Sequence, residues 1–488
     1  MPEEHLEPGQ LKHNVLNRFD SVLIAVAGSA PAYSLSASTV ALVAAVGLLA
    51  PGAILYGAIP MFGIALAFLY LNQAMPNSGA SYVWVGRILH PWLGFLSGWS
   101  LLVSAVLFMM AGAIPAGTAT LELLSPDKTD SVVWVTVVSA FWFLVMNALV
   151  MVGIHITNVV QRILTSIEVI GLIVLAVGGL IHASHQVAHP FSWSWFSLGG
   201  YGSLSTFLGG LLITCFYFWG WDVSLNLTEE TRAKRVAPGL GGVLGTLIIV
   251  ALFILLQVVI QLNLGDKPLA DEAANIIPLL GETILPKPWS YIALIAVMIS
   301  TVATLETTLI QATRTLFAMG RDKTVHPRFA VLHANWQTPV LSNIVIGVLG
   351  IILFVVSNLS ASVSDLMTSA ISAIGLQIAF YYGLTGISCA WHYRKSFAES
   401  FTAGIFRLAW PLVGGLVLLA IFVMNVFTLS FQETAIGLGL ILVGIIPLLV
   451  AKFKYHSPYF EGHVFEPDAE EWSGTKEATV AAETVKRG

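Results

Sequence analysis

Three carboxylates stand where carboxylates are costly. Glu168, Asp222 and Glu306 each fall inside a long apolar run of the chain. An acid at the bilayer centre costs roughly 2.5–3.5 kcal/mol on insertion scales, so each must face protein or water. Low dielectric favours the neutral carboxyl, and a second acid nearby adds to that preference. Such a group can take up and release a proton. It can equally pair with a cationic ligand or hold a buried structural hydrogen bond. A second kind of chemistry sits in two stretches that a plain helix avoids. Gly28-Ser29-Ala30-Pro31-Ala32-Tyr33-Ser34 places a proline among small residues, and Phe218-Trp219-Gly220-Trp221-Asp222 joins a glycine, an acid and large aromatics. Pro31 lacks an N–H and its ring clashes with the preceding turn. Lipid offers nothing to the peptide groups so freed. Taken singly, a proline kink and a packing glycine beside a satisfied acid account for the two stretches. Taken together, amides and a positive helix end at the first break suit a carboxylate. Carbonyls at the second suit an ammonium, and the pair would recognise an α-amino acid.

The elements that must position these residues are membrane helices. Hydrophobic residues make up 56% of the 488 and charged residues 10%, against roughly 25% charged in a soluble domain. Mean hydropathy is +0.83. A span needs about 20 apolar residues. Twelve stretches qualify, near 21–48, 53–74, 92–120, 131–152, 159–182, 206–227, 239–263, 288–318, 340–357, 364–391, 409–429 and 433–452. The third, eighth and tenth are long enough to tilt or to extend beyond the bilayer. The two broken stretches lie in spans one and six, matching positions in a pair of five-helix halves. Interrupted helices at matching positions point to an inverted-repeat transporter with its site at mid-depth.

Of the 22 Lys and Arg residues, all but Lys128, Lys267 and Lys287 fall on the side of the N-terminus. The positive-inside rule therefore puts both termini in the cytosol. Residues 1–20 contain no apolar run of the signal-peptide type, so no cleaved leader is expected. The segment 456–488 is polar and acidic and reads as a disordered tail. Loop 264–287, the longest external one, has the length for a short helix. Cys215 and Cys389 lie inside apolar runs, which excludes a disulfide framework. A net charge of −5 gives no nucleic-acid footprint.

Ordered motifs carry a family resemblance. Pro76-Asn77-Ser78-Gly79-Ala80-Ser81-Tyr82 is followed by Gly86, Gly94-Phe95 and Gly98-Trp99. Gly220-Trp221-Asp222 is followed by Glu229-Glu230 and Pro238, and Arg314 by Ala318-Met319, Arg321-Asp322, His333 and Thr338-Pro339. From about residue 15 to 455 the chain resembles the amino acid–polyamine–organocation (APC) transporters. The resemblance implies an all-α, twelve-helix fold of the leucine-transporter type, with 5+5 inverted repeats and two C-terminal helices. It implies that Ala30, Ala32, Tyr33 and Ser34 line the carboxylate end, where relatives usually carry Gly-Ser-Gly. It places Phe216, Tyr217 and Trp219 as gate or floor, unless they are ordinary packing, and Met109 with Phe108 near the side-chain pocket. Glu168 stands where relatives often carry a lysine, and Glu306 where they often carry an asparagine. Asp222 aligns with an acid resembling the proton-sensitive glutamate of exchangers. Oxygen ligands on helices one and eight hold sodium elsewhere in the wider fold, so sodium competes with the proton as coupling ion.

The sequence is thus read as a secondary transporter of an amino acid or related small amine in the cytoplasmic membrane, with proton-coupled import favoured. A polyamine or organocation transporter, or an exchanger, is the alternative. Residues 1–20 form a cytosolic segment and 21–455 the transport domain. The expected partners are the substrate, a proton or sodium ion and the bilayer; oligomeric state is left open. No cofactor is expected, nor enzymatic chemistry, since no phosphate loop, HExxH or nucleophile elbow occurs. His182, His185 and His189 have spacing that could hold a metal. With no acid or cysteine joining them in sequence, free external histidines are the simpler reading. Gly241 and Gly245 form a GxxxG that signals close helix packing. Gln377, Tyr381 and Tyr382 could reach the external gate or belong to the core.

Overall fold

The computed structural model describes residues 11–266, 269, 275–357 and 363–463. Among them there are helices and no strand; one isolated parallel bridge joins Leu16 to Thr231. Among the described residues, ten helical stretches are long and apolar enough to cross a membrane. The difference from twelve has two physical sources. The stretch Arg18–Ala74 holds spans one and two, and the sixth span survives only as the shorter helix Leu204–Tyr217.

The stretch Arg18–Ala74 turns back on itself. Helix Arg18–Ser29 stops at Ala30, helix Pro31–Val46 follows, and Gly47 at φ 59° leads into helix Ala50–Ala74. The seventh span, Ala237–Asn263, serves as a ruler along it. Its start packs Gly241 on Ser21 and Gly239 on Leu69, while Gln261 near its end donates to the Leu48 carbonyl. The start of span one and the end of span two therefore lie at one end, and the turn lies at the other. Gly245 against Ala25 continues this contact, so the GxxxG serves packing within the chain.

Local sequence sets the helix ends. Asn17 and Asp20 form a capping box at the first helix, satisfying amides that would otherwise be orphaned. Ser203 caps the sixth span and Ser430 with Glu433 the twelfth. The third span is two helices, Pro91–Ala111 and Ile114–Leu124, interrupted at Gly112. The fifth, Ile154–Ala183, starts five residues before the expected 159, just after Gly153 at φ 124°.

The fifth span also shows which way helices face. Ile163, Ile167, Ile170, Val174, Val177 and Ile181 are exposed, while Gln161, Thr165, Glu168 and Leu172 are buried. That apolar outer stripe suits lipid, and the polar inner stripe meets the eighth span, Tyr291–Arg321. In the eighth, every residue from 300 to 320 is buried. It is the central post of the molecule.

One expectation at the C-terminal end needs correction. The segment after Tyr455 does not turn free at 456. Pro458–Glu461 forms a short 3-10 helix, and Tyr459 is buried, stacked on Tyr82 with centroids 4.7 Å apart. Its hydroxyl donates to the Tyr82 carbonyl at 3.0 Å. Residues 464–488 of the tail lie outside the described residues. In loop 264–287 the expected short helix is present as Ile276–Ile284, and residues 267, 268 and 270–274 lie outside the described residues.

Candidate functional site

The first break lies at Ala30, within the stretch 28–34 expected for it and just ahead of the Ala32-Tyr33-Ser34 that stands where relatives carry Gly-Ser-Gly. Ala30 takes a left-handed conformation (φ 45°, ψ 68°) and Pro31 opens the next helix. Proline fits the first helical position because its missing N–H is one that a helix start leaves unused. The sixth span breaks after Tyr217 and resumes at Val223–Asn226, with Gly220 at φ 96°. The two breaks touch, backbone against backbone. A Cβ on Gly28 would lie 2.8 Å from the Gly220 carbonyl carbon and closer still to its oxygen.

Beside this contact is a small cavity. Gly28, Ser29, Ala30, Tyr33, Ser34, Phe108, Phe216, Trp219 and Thr304 line it. The volume open to the centre of a water molecule is about 10 Å³, enough for about one water. Four lining rings touch one another. Tyr33 and Phe108 meet edge to face at 5.5 Å, Phe108 and Trp219 at 5.4 Å, and Phe216 lies 6.2 Å from Tyr33 and 6.3 Å from Phe108. Ser29 Oγ and the Tyr33 hydroxyl are buried without a hydrogen bond.

Of the expected lining residues, Ala30, Tyr33, Ser34, Phe216 and Trp219 meet here, and Phe108 joins them. Three others are turned elsewhere. Ala32 gives its N–H to Glu168 Oε1 at 3.1 Å. Tyr217 turns its hydroxyl to Thr39 and packs its ring on Phe253. Met109 is buried against Gly350 of the ninth span. Sequence reasoning missed Thr304, whose hydroxyl donates to the Gly28 carbonyl at 3.0 Å. An oxygen-bearing side chain two residues before Glu306 was its only signal.

The amides of the first break are already partnered. Ala32 N–H meets Glu168, Tyr33 N–H donates to Ser300 Oγ at 3.1 Å, and Ser34 N–H to the Ala30 carbonyl at 2.8 Å. Glu168 thus occupies the positive helix end that a ligand carboxylate was expected to take. Its second oxygen makes no hydrogen bond. Asp222 stands apart from the cavity. Tyr381 and Tyr382 donate to its two oxygens at 3.1 and 2.8 Å, and Trp219 Nε1 donates to Tyr381 at 2.7 Å. A chain of bonds therefore joins a cavity ring to this acid. The two tyrosines serve it rather than an external gate. Gln377 of the same span bonds Ser104 and the Gly437 carbonyl. Glu306 is buried on the eighth span, where the Gln161 amide, rotated to satisfy its own neighbours, donates to it at 3.2 Å.

The motif residues converge at the basic end. Glu229 accepts from Arg321 at 2.7 and 2.8 Å and from Ser78 N–H and Oγ at 2.9 and 2.8 Å. Asn226 donates to the Ser78 carbonyl at 2.8 Å. Arg314 makes two 3.0 Å bonds to Glu230, both side chains buried. Arg162 meets Asp20 at 2.6 Å. These bonds tie span one to span five, and the segments that follow spans two and six to span eight. Burial alone would raise the Glu229 carboxyl, but the adjacent Arg321 charge and the bonds from Ser78 hold it below the usual carboxylate range. At the opposite end, His182 bonds Asn263 at 2.7 Å and His189 lies 3.3 Å from Asp266. An acid does approach that histidine run, and it pairs with one histidine only.

Apposed breaks at mid-span over a sealed basic end define a multi-pass membrane transporter. The family model for amino acid permeases matches residues 16–451, and the chain belongs to that family. It is 26% identical over 422 residues to the low-affinity putrescine importer PlaP of Escherichia coli K12, covering 84% of this chain and 87% of the relative. It is also 26% identical over 306 residues to the vacuolar cationic amino acid transporter 4 of Arabidopsis thaliana, covering 58% and 49%.

Proposed function

We propose that the chain is a secondary active transporter that moves an amino acid or related small amine across the cytoplasmic membrane by alternating access. The observation that carries this is the meeting of two broken spans at Gly28 and Gly220 beside a cavity of aromatic rings and hydroxyls. Backbone irregular at membrane depth is tolerated where it lines a binding site. The cavity holds about one water, so substrate entry requires the wall of Phe108, Phe216 and Trp219 to move. Residues 21–455 form the twelve-helix transport unit, in two inverted five-helix halves with two further helices. The basic side and both termini face the cytosol, and the Glu229, Glu230, Arg314 and Arg321 network closes that side. Glu168 or Asp222 carries a coupling proton: the first holds one broken helix, and the second is bonded through Tyr381 to a ring of the cavity.

The test is uptake into proteoliposomes with a proton gradient, a sodium gradient or none. Proton-driven accumulation is expected in wild type and its loss in Glu168→Gln or Asp222→Asn. Sodium-driven accumulation, or variants that both still concentrate substrate, would overturn the coupling assignment. Absence of uptake for every amino acid and amine tried would overturn transport itself.

A further inference from the structure

The protein's own carboxylate fills the seat where a substrate carboxylate would bind. From this we infer that the site takes organic ammonium compounds without a carboxylate, with Glu168 as the residue that sets this selectivity. The inference rests on the transport site proposed above and names its substrate class. A helix start offers a handful of unpaired amides, and these are what recognise an anion there. At Pro31–Val46 the first position has no N–H. The next three amides go to Glu168 Oε1, Ser300 Oγ and the Ala30 carbonyl. A ligand carboxylate would have to displace Glu168 from Ala32 and then lie beside it. Nothing basic compensates, because no Lys, Arg or His lines the cavity. Arg314, the buried base on the eighth span, is committed to Glu230.

What remains in the cavity suits a cation. Tyr33, Phe108, Phe216 and Trp219 form a cluster of rings whose faces attract ammonium groups. Ser29 Oγ and the Tyr33 hydroxyl, both buried, lining the cavity and without a hydrogen bond, can accept from N–H donors. Glu168, Asp222 and Glu306 place carboxyl groups, all buried, in the surrounding spans. Whether Glu168 is ionised or neutral, its Oε1 keeps the Ala32 amide occupied.

Matched pairs isolate the carboxylate. Ornithine is 1,4-diaminobutane with a carboxylate added, and norvaline is 1-aminobutane with one added. Calorimetric titration of the protein in nanodiscs would compare both pairs. In any pair that binds, the amine should bind more than about tenfold tighter than its carboxylated counterpart, because like-charge or unpaired placement of a carboxylate is strongly penalised. E168A frees the Ala32 amide and should narrow that ratio at least severalfold. A carboxylated compound binding as tightly as its amine in wild type, or no binding by either pair, would overturn the substrate class. An unchanged ratio in folded E168A would overturn the role of Glu168. Uptake of the same four compounds separates this from the transport reading. Tight amine binding without uptake removes transport and leaves the selectivity. Uptake that favours the amino acids removes the selectivity and leaves transport.

Discussion

Replacing either glycine at the apposed breaks with alanine puts a methyl group where the other chain's backbone already stands. On Gly28 the new Cβ would sit 2.8 Å from the Gly220 carbonyl carbon, and on Gly220 it would sit 2.6 Å from that of Gly28. Ordinary contact begins at 3.4 Å, so spans one and six must part by at least about 0.6 Å in the first case and more in the second. Backbone cannot rotate aside as a side chain does. Overpacking of this kind costs about 1–3 kcal/mol. Gly220 sits at φ 96°, which adds about 1–2 kcal/mol for any residue with a Cβ. Gly220→Ala should therefore be the worse of the two. Gly439, on the twelfth span with open space around it, is the control, and its alanine variant should stay within about 1 kcal/mol of wild type. The assay is thermal unfolding in detergent together with substrate affinity by calorimetry. Both should fall for Gly28→Ala, fall further for Gly220→Ala and hold for Gly439→Ala. Equal stability and affinity in all three would refute the backbone contact.

Three further outcomes follow from the basic end. Arg314→Met leaves Glu230 buried without its partner and should cost about 3–5 kcal/mol; adding Glu230→Gln should restore part of that loss, read by thermal unfolding of both variants. Glu229 is held below the usual carboxylate range, so its contribution is present above the unfolded-state value of about 4.3 and is lost as pH falls through the lower folded value. Wild type should therefore destabilise below about pH 4, and Glu229→Gln should be weaker at pH 7 but flatter through that acid window in a pH series of melting curves. Tyr459→Phe removes one bond to the Tyr82 carbonyl, worth about 0.5–1.5 kcal/mol. It should open the basic end more often, read as faster thiol labelling of a cysteine placed at Ser78 in a background without Cys215 and Cys389.

The parts of this fold that were plain in the sequence are those set by local composition. Apolar length marked the spans, and the Gly241–Gly245 spacing marked a close helix contact that the structure places on Ser21 and Ala25. The motif residues Ser78, Glu229 and Arg321 could be picked out, yet their meeting depends on chain segments more than 90 residues apart. Within the broken stretch 28–34, a local rule fixes the exact point. Pro31 favours the first turn of a helix, so the break had to precede it at Ala30. Glu168 stood out as a buried acid, but its partner, the Ala32 amide, lies 136 residues away and no spacing reveals it. Tyr459 lay hidden as one aromatic in a polar tail. Its seat is made by Gly86 and Gly94, where a Cβ would meet its hydroxyl. Met109 and Tyr217 share helices with cavity residues and differ from them by a single position, which turns a side chain by about 100°.

The most direct test of the account is an experimental structure of the protein with the compound that shows the strongest uptake. Density for that compound between residues 28–34 and 216–219, with the rings of Phe108, Phe216 and Trp219 moved to admit it, is the predicted result. A compound bound elsewhere, or spans one and six running through as unbroken helices, would contradict it.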